Sequence, residues 1–398
     1  MTREIPKQAD CVVIGGGIIG AATAFYLTRA GMSVVVVEKR PALCTLTTPV
    51  ATGAFRAQFD NPEEIALVRE SISVFENFAE HVGIANYDIG IRQQGYLWLT
   101  TTREGMTRQK ELVEAQRGWG LNDVDLMSGD EARSRFPYLA PEVMQARFRQ
   151  DDGWLDVKKL TMGFVAGAAS ETQKPCATFC VDTPVTGFEM EGDRVKVVKT
   201  SRGAISCGAA VIAAGPFSGT VAAMAGLDLK FDLRIRQRLV LVETPEVPQQ
   251  APMTIDEETG AHWRPTGRGA SLLVTDHGSP AGPPLDDVPT SSNTYFSLLR
   301  PESKTAVARI SPFWRKVWER NTDHWHVVAG QYTYTPDHRP YIGETAVSGL
   351  FMNSGYSGHG IMGSAGGSRL LADVVMGAAK SNPFSLQRKM EERLLDVL

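Results

Sequence analysis

Gly15, Gly17 and Gly20 stand at G-x-G-x-x-G spacing, and Glu38 follows 18 residues after the last of them. Residues of these types in this order can hold a dinucleotide. Gly15 permits a tight turn, Gly17 lets backbone approach a pyrophosphate, and Gly20 lets a helix pack closely on a strand. A helix opening at Ile18 presents unpaired N–H groups and a positive dipole end to the phosphates. Glu38 can accept hydrogen bonds from a ribose diol and repels a 2′-phosphate, so FAD and NAD remain and NADP is disfavoured. A second glycine cluster runs from Ser354 to Arg369 and opens a helix near Gly360 that continues through Met376. Small residues on its first turns would let a flat partner lie close, and its N-terminus is a second positive pole. That suits a reduced flavin, whose ring is negative near N1 and the C2 carbonyl. A close-packed helix pair is the competing reading.

The elements that must position these residues follow from periodicity. Cys11–Ile14 reads as a parallel strand buried on both faces, Ile18–Ala30 as a helix stopped at Gly31, and Ser33–Val37 as a second strand ending at Glu38. Asn61-Pro62-Glu63-Glu64 is a helix start, and Ile65, Val68, Ile72, Phe75 and Phe78 follow as an apolar stripe for a core. Gly95–Thr100 has a strand pattern, so an α+β region interrupts the α/β unit. Val195–Val198 and Ala209–Gly215 read as further strands, the latter fully buried. Arg234–Glu243 and Trp263–Val274 belong to a mixed region. Residues 278–291 hold four prolines without periodicity and read as a surface loop rather than a lid.

Composition bounds the rest. The chain has 398 residues with a formal net charge of −4, which argues against nucleic-acid binding. Its length exceeds what one core usually serves, so two domains are expected. The five cysteines suit a reducing cytoplasm rather than a disulfide framework, and C-x3-C at Cys176 and Cys180 lacks the second pair a zinc site needs. The first ten residues read as neither signal peptide nor transit helix, and the apolar stretch from Cys11 to Leu27 breaks at three glycines, so no membrane span is expected.

Several stretches together resemble the D-amino-acid-oxidase-like flavoproteins, the group of glycine oxidases, sarcosine oxidases and dehydrogenases, and dye-linked proline dehydrogenase catalytic subunits. They are Val12–Gly20, Thr183-Pro-Val185, Val211–Ser218, Thr335–Gly343 and Gly355–Gly360, in this order along nearly the whole chain. The resemblance implies FAD and a Rossmann-like FAD-binding domain of the glutathione reductase type, interleaved with an α+β substrate domain whose large antiparallel or mixed sheet roofs the flavin. The expected division is 1–55, 150–225 and 326–398 for the first and 56–149 and 226–325 for the second. By position, Ile18, Ile19, Glu38 and Lys39 are expected at the diphosphate and adenosine, with Thr47 and Thr48 near the diphosphate. Thr52, Gly53 and Ala54 are expected beside the flavin, Val185 at the adenine, and Gly358, His359, Gly360 and Ile361 at the pyrimidine edge. Gly215, Gly330 and Met362 join the expected cofactor set.

Departures from the family matter equally. The cysteine that attaches flavin in monomeric sarcosine oxidases corresponds to Gly330, and the attaching histidine of the mitochondrial dehydrogenases is missing around Val50, so non-covalent FAD is expected. The carboxylate-binding arginines of glycine oxidases correspond to Tyr332 and Gly358, and the lysine of sarcosine oxidases to Met362. Arg56 is then the candidate for a substrate carboxylate or a flavin contact, unless the substrate is not a simple α-amino acid. The lysine that sarcosine oxidases place above the flavin has no counterpart in Gly269–Val274. That leans towards a dehydrogenase with an acceptor other than oxygen, although His262, Arg264 or His277 are candidate substitutes.

The expected reaction is oxidation of a C–N bond in a small amine or amino acid, favouring a secondary or N-methyl amine, with Tyr332, His359, Arg56 and His262 as catalytic candidates. Rivals are a 2-hydroxy acid or glycerophosphate dehydrogenase and a non-enzymatic flavoprotein assembly factor. A homo-oligomer or an electron-accepting subunit is a further expectation.

Overall fold

A computed structural model describes residues 4–171, 174–275, 279–321 and 324–390. In its first sheet Leu350–Ser354, Gly203–Ile212, Gln8–Ile14, Val34–Val37 and Ala177–Cys180 lie side by side in parallel. Tyr341–Glu344 adds an antiparallel edge, and the Val185–Glu191 and Arg194–Thr200 hairpin branches from Gly203–Ile212. The run of β-branched residues is explained by burial on both faces. Cys11, Val13, Val34, Val36 and Val211 meet helices on one side, whereas Val12, Ile14, Val35, Val37 and Ile212 meet Val195, Val198 and Ile205 of the antiparallel strands on the other. Helices Ile18–Arg29, Val157–Ala168 and Gly360–Val375 cover the first face. Ile14 pairs with both Ile212 and Val37, so three carboxyl ends meet at one level, where open α/β sheets bind ligands.

The second sheet has eight strands in the order Trp325–Tyr334, Asp232–Leu241, Ala270–Val274, Ala261–Pro265, Met253–Asp256, Tyr96–Thr100, Gln145–Arg149 and Asp125–Ser128. Only Met253–Asp256 and Tyr96–Thr100 run parallel, so the sheet is mixed. Leu239, Leu241, Trp263 and Leu272 point away from the first sheet into a core with Leu298, Trp314 and Val317. Trp325–Tyr334 pairs along its whole length with Asp232–Leu241, so this segment belongs to the second sheet rather than to the first.

The helix start at Asn61 is as expected: its side chain accepts from the Glu64 N–H at 2.9 Å, and the helix runs Pro62–Glu76. Its stripe packs in the core of the first sheet, against the C-terminal helix. The glycines of that helix explain the closeness. A Cβ on Gly366 would stand 2.3 Å from the Leu67 carbonyl oxygen, and one on Gly367 2.1 Å from the Tyr356 hydroxyl. The later glycines of this helix therefore serve helix packing, while only Gly358, Gly360 and Ile361 of its start reach the cavity described next. Residues 279–291 contain no strand or helix, and among the described residues no helix is long and apolar enough to cross a membrane.

Candidate active site

The strand Gln8–Ile14 ends at Gly15, whose φ of +118° and close approach to Ala213 exclude a side chain: a Cβ would stand 2.4 Å from the Ala213 carbonyl oxygen. Gly20 is equally constrained, because a Cβ there would meet the Gly15 carbonyl oxygen at 1.9 Å. These two contacts set the helix against the turn. In front of the helix N-terminus lies a cavity of about 370 Å³, ligand-sized, that runs along the carboxyl ends of the first sheet to the edge strand of the second. The Ile18 N–H donates to Thr48 Oγ1 at 3.2 Å, and no side chain caps the helix from Gly17. At one end Glu38 is fixed by two backbone donors, Gly16 N–H to Oε2 at 2.6 Å and Arg40 N–H to Oε1 at 2.8 Å. Its carboxylate retains lone pairs for a diol. Lys39 lies 3.2 Å from the centre of the Phe217 ring and pairs with Asp286.

At the other end stand Gln331, Tyr332, Thr333, Gly358, Gly360 and Ile361. Gly358 has φ +94°, and a Cβ would fall 2.5 Å from the Tyr332 ring, so only glycine brings backbone against that ring. Gln331 fastens the 279–291 loop, its Oε1 accepting from Leu285 N–H and its Nε2 donating to the Pro283 carbonyl, both at 2.8 Å.

Of the cofactor candidates, Gly15, Gly17, Ile18, Ile19, Glu38, Lys39, Thr47, Thr48, Val185, Gly215, Gly358, Gly360 and Ile361 line this cavity. Others are placed behind it. Met362 is packed in the core. A Cβ on Gly330 would meet Val50 Cγ2 at 2.8 Å. The Thr52 carbonyl accepts from Arg264 Nε at 3.0 Å and Nη2 at 2.6 Å, while Gly53 and Ala54 lead into a short strand pair with Gly153–Trp154. Sequence reasoning gave no role to Gln331, which carries no motif, or to Phe217, which sits inside the Val211–Ser218 stretch; both act through neighbours distant in the chain.

The catalytic candidates divide into a pair and two single residues. Arg56 is buried, with Nη1 donating to the Gln58 carbonyl at 3.2 Å and Nη2 lying 3.3 Å from His359 Nε2. The aromatic rings of Phe59 and Trp98 lie 4.3 and 5.3 Å from its guanidinium carbon. His359 sits edge-on to Phe59 and directs Nδ1 towards Glu64 Oε1 at 3.6 Å. A guanidinium only donates, so Nε2 is the acceptor and the ring proton belongs on Nδ1, facing Glu64. His359 thus stands between two cavity-lining glycines with Nε2 turned to Arg56 and Nδ1 facing Glu64. Tyr332 is packed against Gly358, and burial pushes its hydroxyl pKa up. His262 is apart from this pair, its Nδ1 3.0 Å from the Gly260 carbonyl, and burial holds its pKa down at about 4. It is neutral at pH 7. His277 lies outside the described residues.

The cavity therefore joins a glycine turn, a helix N-terminus, a strand-tip carboxylate and a second helix N-terminus beside an aromatic wall. A model of the DAO family, FAD dependent oxidoreductase, matches residues 10–374. The chain belongs to that family. As a member of the DAO family it is an FAD-dependent oxidoreductase, and the cavity's residues fit the cofactor. FAD-dependent oxidoreductase domain-containing protein 1 of Xenopus laevis is 28% identical over 408 residues, spanning 93% of this chain and 80% of that protein. Human mitochondrial sarcosine dehydrogenase is 26% identical over 94% of this chain, but only 40% of its own length is covered. Among solved structures, L-proline dehydrogenase from P. horikoshii superposes with a TM-score of 0.81 at 25% identity, covering 96% of both chains. Glycine oxidase from Geobacillus kaustophilus gives 0.80 at 25% identity, over 97% of this chain and all of that one.

Proposed function

We propose that this DAO-family protein oxidises the C–N bond of a small amine or amino acid, favouring secondary or N-methyl amines. The observation that carries the reading is the Arg56–His359 pair, 3.3 Å apart and flanked by two glycines of the cavity wall. FAD, when bound, supplies a hydride acceptor for the carbon beside the nitrogen, leaving an imine that water hydrolyses. The protein's part is position and electrostatics. An amine must be neutral to react, and the buried positive charge of Arg56 depresses the pKa of an amine nearby while offering a partner to an attached carboxylate. His359, held with its proton on Nδ1, keeps the guanidinium oriented, and Tyr332 closes the opposite side. No separate base is needed.

The roof strand Ala270–Val274 itself carries no cation and His262 beside it is neutral, so an acceptor other than oxygen fits when the arginines of the flanking strands are engaged by substrate. FAD is held without a covalent bond in this reading, since neither Gly330 nor Val50 can attach it. The two sheets correspond to two interleaved domains, with Trp325–Tyr334 assigned to the second.

The test is anaerobic flavin bleaching with matched panels of amines and 2-hydroxy acids. Bleaching by amines alone supports the reading, while bleaching by hydroxy acids alone overturns it. Admitting air and following peroxide then tests the acceptor, and flavin released into the supernatant on denaturation tests its attachment.

A further inference from the structure

Along Asp232–Leu241 the side chains alternate, so Leu239 and Leu241 enter the outer core while Arg234, Arg236 and Arg238 share the opposite face. Register extends that face across the sheet. Arg234 is opposite Tyr332, Arg238 opposite Leu273, and Leu273 opposite His262, with Arg264 two residues further on. Tyr332, Arg236, Arg238, His262 and Arg264 therefore look the same way, towards the cavity end marked by Tyr332.

Arg234 and Arg149 of this sheet have carboxylate partners, Arg234 with Asp232 at 2.6 Å and Arg149 with Asp123 and Asp152 at 2.7 Å each, whereas Arg147, on the same strand as Arg149, donates only to Gln58 Oε1 at 3.1 Å. Arg236, Arg238 and Arg264 have no carboxylate partner among the described residues. Arg236 donates to Ser279 Oγ at 2.5 Å and to the Tyr334 hydroxyl at 3.0 Å, leaving its Nε unpartnered. Arg264 is engaged by the Thr52 and Pro265 carbonyls, which are dipoles and not charges. The Nε of Arg238 is buried without a hydrogen-bond partner. Burial, with Arg238 adding repulsion, holds the Arg264 pKa down at about 9. Three half-buried or buried guanidinium groups on one face, with no carboxylate against them among the described residues, are costly unless a ligand brings an anion. FAD does not need them, because its diphosphate and its negative ring edge are each served by a helix N-terminus. Arg56 lies with His359 and suffices for a carboxylate next to the reacting nitrogen.

Resting on the amine-oxidation reading, we infer that the substrate carries a second acidic group, a carboxylate distal to the oxidised C–N bond, received by Arg238 and backed by Arg264 and Arg236. The substrate class is an amino or imino diacid.

Steady-state turnover of the holoenzyme with an artificial electron acceptor would compare N-methylaspartate with N-methylalanine and glutamate with glutamine. The diacid is expected to show a kcat/KM about 30-fold higher, the worth of one charged hydrogen bond, and Arg238→Gln to bring that diacid-to-monoacid ratio down towards one. Arg238→Lys should restore part of it. Binding of glutarate against butyrate, read from the flavin absorption spectrum, is a second measurement independent of turnover. Glutarate should saturate with an affinity that Arg238→Gln weakens to the same extent, and Arg238→Lys serves where the glutamine variant loses flavin. Amines that bleach the flavin with no preference for diacids, together with no glutarate response, would overturn this inference and leave the amine reading standing. A glutarate response lost on substitution, with no amine bleaching, would support the acid site while the amine reading fails.

Discussion

At Glu38 both carboxylate oxygens are already engaged by backbone N–H groups, from Gly16 and Arg40. The side chain therefore shapes the turn and keeps lone pairs that the ribose of FAD would use in the proposed site. Glu38→Gln replaces one acceptor oxygen by a donor and loses both roles at that atom, so the FAD dissociation constant should rise about 10- to 100-fold. Titration of apoprotein with FAD, followed by flavin fluorescence quenching, checks this. Glu64→Gln removes the charge facing His359 Nδ1, 3.6 Å away. The rate of anaerobic flavin reduction should fall about tenfold with FAD affinity unchanged within a factor of about three, and stopped-flow bleaching separates the two. Glu38 was legible in the sequence because a strand, a glycine turn and an acid fall at local spacing. The Arg56–His359 contact joins residues 303 apart, and no local pattern announces it. Arg236 and Arg238 did leave a signal, alternate arginines within a strand, but period 2 says only that they share a face and not which face meets the site.

The C-terminal helix illustrates how one composition serves two purposes. Its start needs glycine for backbone approach to Tyr332, and its interior needs glycine for contact with Pro62–Glu76. Gly366→Ala forces a Cβ to within 2.3 Å of the Leu67 carbonyl oxygen and should cost about 1–3 kcal/mol, lowering the melting temperature by several degrees. Gly358→Ala combines a φ of +94° with a clash on the Tyr332 ring and should weaken FAD binding more than it lowers the melting temperature of the apoprotein. Differential scanning fluorimetry with and without FAD distinguishes them. The helix itself, its start near Gly360 and the Asn61 cap were readable, since capping and periodicity are local. Which glycines face a flavin and which face another helix depends on the angle at which two helices cross, and that is set by partners outside the segment.

Across the whole molecule the two sheets are tied by Arg264 to the Thr52 carbonyl and by Lys39 and Arg40 to Asp286 of the 279–291 loop, which Gln331 holds, and the chain crosses between them repeatedly. Removing FAD should lower stability without splitting the unfolding transition: at a hundredfold excess over its dissociation constant the cofactor adds about 2.7 kcal/mol. Calorimetry of holo- and apoprotein measures it. Stability should also fall in mild acid. The His262 pKa is about 4 in the folded chain, below the roughly 6.5 of an exposed histidine, so below pH 6.5 the unfolded state takes up a proton that the folded state refuses. Its contribution is complete above that pH and is lost at about 1.4 kcal/mol per unit as pH falls towards 4. Wild type compared with His262→Asn in denaturant titrations from pH 7.5 to 4.5 isolates that slope. The family resemblance implies interleaving, whereas the placement of Trp325–Tyr334 in the second sheet follows from pairing with Asp232–Leu241, a strand far back in the chain. The cavity wall is drawn from residues between Ile14 and Ile361. During synthesis, then, the cavity wall is complete only once Ile361 has emerged. Until Leu350–Ser354 is made, the edge of Gly203–Ile212 that it covers stays open to wrong pairing, a hazard carried through roughly 140 residues of synthesis, the separation of the two strands.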